Sequence, residues 1–303
     1  MALLLEWPDR AVLPLPAVSP ETTGAKGNII MQHPIIAAAL AAGLATPLCA
    51  QDYTVALDGT FAPHAMPTMG GEIEGFNVDL TNAIAERLGV EIEIVATQFS
   101  GILPALAAGT YDFVVAPVTL TEERAENALY SEGYLNTDFQ FVVAEGGPVP
   151  DDLSGFDGMT IAVNRGSAYD SWAREQDVNW TVEAYGTSTD AIQAVISGRA
   201  DATVAGNTVM AWAVQRTPGL ELSYVHSTGA VWAMPFPEDG DDLRRTVEAA
   251  LECMKTDGTM AELHETWFGT APAADSAAVT PRPGWGEPGF AGYVEDDHPL
   301  GCE

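Results

Sequence analysis

Hydrophobic and polar positions follow two rhythms along this chain, and the rhythms alternate. Tyr53–Leu57 (YTVAL) and Val90–Val95 (VEIEIV) are short runs with apolar residues at strand spacing. Between them, Val78–Leu88 repeats at the helical period, with Leu80, Ile84 and Leu88 on one face, and Gly89 stops it. Gly70-Gly71 reads as a hairpin turn. A short helix over Gly101–Ala108 and a buried strand over Phe113–Ala116 complete a first block. A second block follows Gly146-Gly147-Pro148. There the pattern predicts strands at Met159–Val163 and Asp201–Ala205, helices at Thr189–Ser197 and Thr208–Val214, and a returning segment at Gly229–Met234. Leu243–Met254 aligns Leu243, Val247, Leu251 and Met254 as an amphipathic helix, which Asp257-Gly258 breaks. Thr259 and Glu262 read as a capping box opening a last helix that ends near Trp267-Phe268-Gly269. Strands alternating with helices predict an α/β protein. Beyond Thr270 the chain is rich in Pro, Gly and Ala, with little periodicity, and is expected to be an extended wrap or partly disordered.

The N-terminus reads as a leader. Ile35–Ala45 is an apolar run of 11 residues, short of the ~20 that span a bilayer. Ala50 suits the residue before a signal-peptide cleavage, so residues 1–50 are expected to be removed, with Met31 as a candidate true start. The rival is a lipid anchor at Cys49, against which bulky Leu48 argues. Cleavage after Ala50 leaves Cys253 and Cys302. An even count in an exported chain suggests a disulfide pinning the tail to the last long helix, with two free thiols as the alternative.

Charge narrows the function classes. The 303 residues hold 12 Lys+Arg against 43 Asp+Glu, a net charge of −31. That balance argues against nucleic acid and against an anionic membrane surface as partners. The five histidines have no i,i+4 pairing, and no C-x-x-C, G-x-S-x-G or P-loop pattern is present. Neither a metal site nor a cofactor is expected, and no acid is marked out for catalysis. His64, beside Pro63, reads as a loop residue. One cation stands out: Arg124 follows the buried strand in a loop of acids. Its planar fork suits a carboxylate. The ordinary alternative is a surface ion pair with Glu122 or Glu123.

An ordered set of landmarks weights that choice: Val55-Ala-Leu-Asp58-Gly-Thr-Phe61-Ala-Pro63, Gly75-Phe-Asn-Val-Asp79-Leu, Phe99-Ser-Gly-Ile-Leu-Pro104-Ala-Leu, Asp112 through Arg124 and Ser131, Gly198-Arg-Ala-Asp201-Ala, and Asp257-Gly-Thr through Trp267-Phe-Gly269. In these the chain resembles, from Tyr53 to Gly269, the periplasmic solute-binding proteins of family 3, the polar amino-acid receptors of ABC importers. The resemblance implies a type II periplasmic binding fold: two α/β lobes joined by a two-strand hinge near Asn136–Phe139 and Val225–Gly229, with a ligand cleft between them. Residues 51–137 and 227–270 would form one lobe, 138–226 the other and 271–303 a tail. It further implies a periplasmic, monomeric, non-catalytic receptor that binds an amino acid or related small carboxylate and docks on a membrane permease. By position, Arg124 would clamp the ligand carboxylate, helped by Thr119 and the backbone near Pro117. Phe61 and Phe99 would form aromatic walls, and Asp58 would reach the ligand side chain. Ser167, with Gly166 and Ala168, would offer free N–H groups at a helix start.

One departure carries weight. Gly206, followed by Asn207, stands where many relatives hold the ligand amine with an aspartate, while Arg165 stands where they often have a neutral residue. Arg165 either faces solvent or lines the cleft; in the cleft, two arginines without an amine partner would favour an opine, a keto acid or a dicarboxylate, and alternatively Asn207 or Asp201 takes the amine role. The competing readings are an enzyme on the same fold, resembling cyclohexadienyl dehydratases, and a signalling receptor domain.

Overall fold

The computed structural model describes residues 52–296 and 298–302. The expected leader, with Met31, Cys49 and Ala50, lies outside the described residues. In chain order the strands are β1 (Tyr53–Leu57), β2 (Met66–Pro67), β3 (Ile73–Glu74), β4 (Ile92–Ala96), β5 (Phe113–Val114), β6 (Val118–Thr119), β7 (Leu129–Tyr130), β8 (Leu135–Ala144), β9 (Thr160–Asn164), β10 (Thr181–Tyr185), β11 (Ala202–Gly206), β12 (Leu220–Ala233) and β13 (Pro235–Phe236). The helices are α1 (Phe76–Leu88), α2 (Phe99–Ala107), α3 (Glu122–Ala125), α4 (Ala168–Glu175), α5 (Ser188–Ile196), α6 (Asn207–Arg216), α7 (Asp241–Thr256) and α8 (Thr259–Phe268).

The periodic segments fold as their patterns predict. β1 pairs in parallel with β4 and β5, and Val55, Ala56 and Leu57 are fully buried at the centre of that sheet. On α1, Leu80 and Ile84 face the core, and Gly89 caps the helix in the left-handed conformation at φ 67°. The expected capping box does not form. Gly258 is the N-cap of α8, and the Thr259 hydroxyl donates to Asp257 Oδ1 at 2.7 Å instead. A nearby carboxylate outcompetes the helix for that hydroxyl.

The second sheet has the order β10-β9-β11-β8-β12-β6. Its two long central strands, β8 and β12, run antiparallel to each other. At one end β8 pairs with β11, from Val143 to Phe139; at the other, Trp232 and Ala233 of β12 pair with Thr119 and Val118 of β6. These strands therefore connect the region around β1 and β6 with the region around β9 and β11. The β8–β12 register shifts between His226 and Ala230, and Gly229 sits at φ 67° in that irregularity. The hinge segments expected from the sequence lie on these two strands.

The tail is ordered over its described residues. It holds a bridge between Trp285 and Val294 and lies on a set of buried charges. Glu132 and Lys255, both fully buried, pair at 2.6 Å, and the Arg282 backbone N–H donates to Glu132. Glu248 accepts from the N–H groups of Gly286 and Glu132, and Glu287 accepts from the Gly133 N–H at 2.8 Å. The sulfurs of Cys253 and Cys302 form a disulfide with a Cα–Cα distance of 5.3 Å. These contacts pay the desolvation of charges that would otherwise be costly to bury.

Candidate functional site

β1, β6 and β9 each end at the same small cavity, where backbone groups and side chains converge. Asp58 follows β1, Thr119 ends β6 and Asn164 ends β9. Phe61, Phe99, Pro117, Arg124, Ser167, Ala168 and Tyr169 complete the lining. Eight of the residues singled out in the sequence thus meet here: Asp58, Phe61, Phe99, Pro117, Thr119, Arg124, Ser167 and Ala168.

Arg124 is positioned by α3. Thr121 caps that helix by accepting from the Arg124 N–H at 3.3 Å, which turns the side chain back over β6. The guanidinium donates to the Thr119 carbonyl at 2.8 Å and to the Gly166 carbonyl, 42 positions on, at 3.1 Å. Its Cζ lies 5.8 Å from the centre of the Phe99 ring. Among the described residues it forms no ion pair, with Glu122, Glu123 or any other acid, so the ordinary surface-pair explanation does not hold. Burial pulls its pKa below the ordinary value, partly offset by Tyr130, Tyr169 and Glu123. An anion placed here meets a cation held only by neutral carbonyls.

Asp58 lies at another wall and is 2% exposed. Its Oδ1 accepts from the Thr60 N–H and hydroxyl at 3.0 and 2.6 Å. Among the described residues its Oδ2 meets only the Asn164 amide, at a long 3.4 Å. Asn164 Oδ1, also buried, has no hydrogen-bond partner. Ser167 caps α4, accepting from the Asp170 N–H at 3.2 Å, and so orients the helix start toward the cavity. Tyr169, the second residue of α4, has its hydroxyl pKa pushed up by burial to about 12 and stays protonated at neutral pH.

Two residues expected at the site lie elsewhere. Arg165 is exposed and donates to the Ala184 carbonyl at 2.9 Å, away from the cavity, so only one arginine lines it. Asn207 opens α6 and borders a separate groove with Gln140, Thr208 and Trp267. The sequence also left residues unread. Asn164 and Tyr169 flank the Arg165–Ala168 turn, and only the strand-end position of Asn164 signalled it. His64, read as a loop residue, is fully buried between Asn77 and Thr208.

The family model for bacterial extracellular solute-binding proteins, family 3, matches residues 53–270. The chain belongs to that family. The L-arginine-binding protein of Pseudomonas aeruginosa is 26% identical over 237 residues, covering 74% of this chain and 92% of its own. The L-cystine-binding protein of Escherichia coli (strain K12) is 30% identical over 229 residues, covering 71% and 82%. Among solved structures, an ancestral arginine-binding protein bound to arginine superposes with a TM-score of 0.68 at 32% identity, covering 72% of this chain and 98% of its own. This family member shares their two-lobed α/β architecture, and its matched span stops where the tail begins.

Proposed function

We propose that this chain is the extracytoplasmic receptor of an ABC importer and that its cleft takes a small zwitterion, an amino acid or a close relative. One observation carries the reading: a half-buried guanidinium and a fully buried carboxylate line one cavity and are not paired with each other. Buried charges are retained only against a counter-charge. A ligand with a carboxylate at Arg124 and a cationic group at Asp58 supplies both. A dicarboxylate or keto acid suits the site less, because Asp58 would face a second anion and Arg165 offers no second cation.

The lobe assignment supports the same function. We take residues 51–137 and 227–270 as one lobe and 138–226 as the other, with β8 and β12 as the hinge. Arg124 to Gly166, Asp58 to Asn164 and His64 to Thr208 then all cross the cleft. The walls enclose about 10 Å³, about one water's worth, so a ligand is admitted by parting the lobes. The permease partner and periplasmic location follow from the family's role.

Titration calorimetry with arginine, lysine, cystine and their ω-cationic analogues tests this reading. Binding by at least one, lost in Arg124→Ala and weakened in Asp58→Asn, is expected. Tight binding of a dicarboxylate that survives Arg124→Ala would overturn it.

A further inference from the structure

Trp232, on β12, is fully buried directly behind the cavity wall. Its indole N–H donates to the Thr119 hydroxyl at 3.1 Å, and its ring stands edge-on to Phe61 at 6.2 Å and to His64 at 4.7 Å. The ring also fills the space beside Gly206. A Cβ at position 206 would lie 2.4 Å from the indole Cζ2 and 2.6 Å from Cη2. The Gly206 backbone is ordinary, at φ −59° and ψ 144°, so any residue could adopt it. Glycine is required there for room alone. Gly206 and Trp232 are thus a matched pair: the side chain absent from one lobe is replaced by an indole from the other.

The pair has a chemical consequence. The Thr119 oxygen accepts from the indole, and the buried Tyr169 hydroxyl hydrogen-bonds with both Thr119 and Trp232, so the polar atoms on this wall are engaged with one another. Trp232 brings no acceptor. Around the Arg124 end the lining is Phe61, Phe99, Pro117, Thr119 and Ala168, none of them charged. The single lining carboxylate is Asp58, which lies outside ion-pair distance of Arg124 and is joined by the unpartnered Oδ1 of Asn164. An ammonium on the carbon that bears the ligand carboxylate would be buried without a counter-charge.

We propose that Trp232 is the specificity-determining residue of the cleft. It closes the side onto which position 206 opens, so the ligand's cation is read at Asp58 and Asn164. The preferred class is then carboxylic acids whose cationic group is carried at the far end of the chain, over the α-amino acids bearing the same end group. This rests on the zwitterion reading above.

Calorimetry of the whole chain with matched pairs tests it: 5-guanidinopentanoate against arginine, and 6-aminohexanoate against lysine. The wild type is expected to favour the member lacking the α-amine by about tenfold or more, the effect of one uncompensated buried charge. Trp232→Phe, which keeps the wall, should retain the preference. The double variant Gly206→Asp with Trp232→Gly, which installs a carboxylate in the vacated space, should reverse it. Equal or tighter binding of the α-amino members by the wild type overturns the role of Trp232 and leaves the zwitterion reading standing. So does a preference unchanged in the double variant, provided its circular dichroism matches wild type. Binding of no member of either pair overturns both.

Discussion

His64 Nε2 lies 2.8 Å from the Thr208 hydroxyl, 144 positions away, and the direction of that hydrogen bond is fixed by its neighbours. The Asn77 amide nitrogen donates to the Val115 carbonyl and the Tyr134 hydroxyl, so Asn77 Oδ1 must accept from His64 Nδ1–H at 2.9 Å. Nε2 is then the acceptor and Thr208 the donor. Burial lowers the His64 pKa to about 3, so the ring stays neutral and the bond persists through the physiological range.

On the lobe assignment proposed above, this bond spans the cleft and would latch its closed arrangement. Thr208→Val leaves His64 Nε2 without its donor only when the lobes are together. Ligand affinity should fall by about tenfold, near the 1.4 kcal/mol of one hydrogen bond. The melting temperature of the ligand-free protein should hardly move. Calorimetry and a thermal melt check both halves.

Arg124→Lys is not a conservative change here. The fork that reaches both the Thr119 and Gly166 carbonyls becomes a point charge with a different reach. Affinity should fall steeply, and Arg124→Ala should lose about a hundredfold or more. The stabilisation that ligand gives in a thermal-shift assay should disappear with it.

The tail interface should weaken as pH rises. Burial, with the neighbouring Glu132 charge, raises the Glu248 pKa to about 8 from 4.5, against the pull of Gly286 and Arg244. The native state therefore holds a proton that the unfolded state has released, and stability declines between about pH 4.5 and 8. Glu248→Gln removes that proton exchange. It should melt higher than wild type near pH 8 and converge with it near pH 5.

The Cys253–Cys302 disulfide closes a loop of 49 positions and holds the end of the tail against α7. Cys302→Ser should cost up to about 4 kcal/mol by loss of that constraint on the unfolded chain. Limited proteolysis should then cut first after position 285, where the described tail is held mainly by its own turns and a few contacts to α7.

Local pattern carried much of the fold. The stripe of Leu80 and Ile84, the stop at Gly89 and the buried run at β1 are set by neighbours within a few positions, which sequence displays directly. It carried part of the site for a related reason. Arg124 is conspicuous as a cation among acids, whereas Asp58, Phe61, Phe99 and Thr119 were marked only by the family resemblance, because nothing in the local pattern distinguishes them from ordinary core.

Other features were decided by contacts between distant positions. Arg165 points outward because its guanidinium is taken by the Ala184 carbonyl on the neighbouring strand β10, and Asn207 faces another groove because α6 begins at that residue. The tail is ordered because its backbone N–H groups meet carboxylates on α7 and after β7, although its composition suggested little structure. Nothing near Gly206 in sequence announces an indole from β12. The sequence by itself determined which segments are strands and helices and which cation, Arg124, was the candidate anion anchor. Only the tertiary structure decided what fills the space beside Gly206, because that depends on side-chain volume brought together from distant stretches of chain by strands of fixed register.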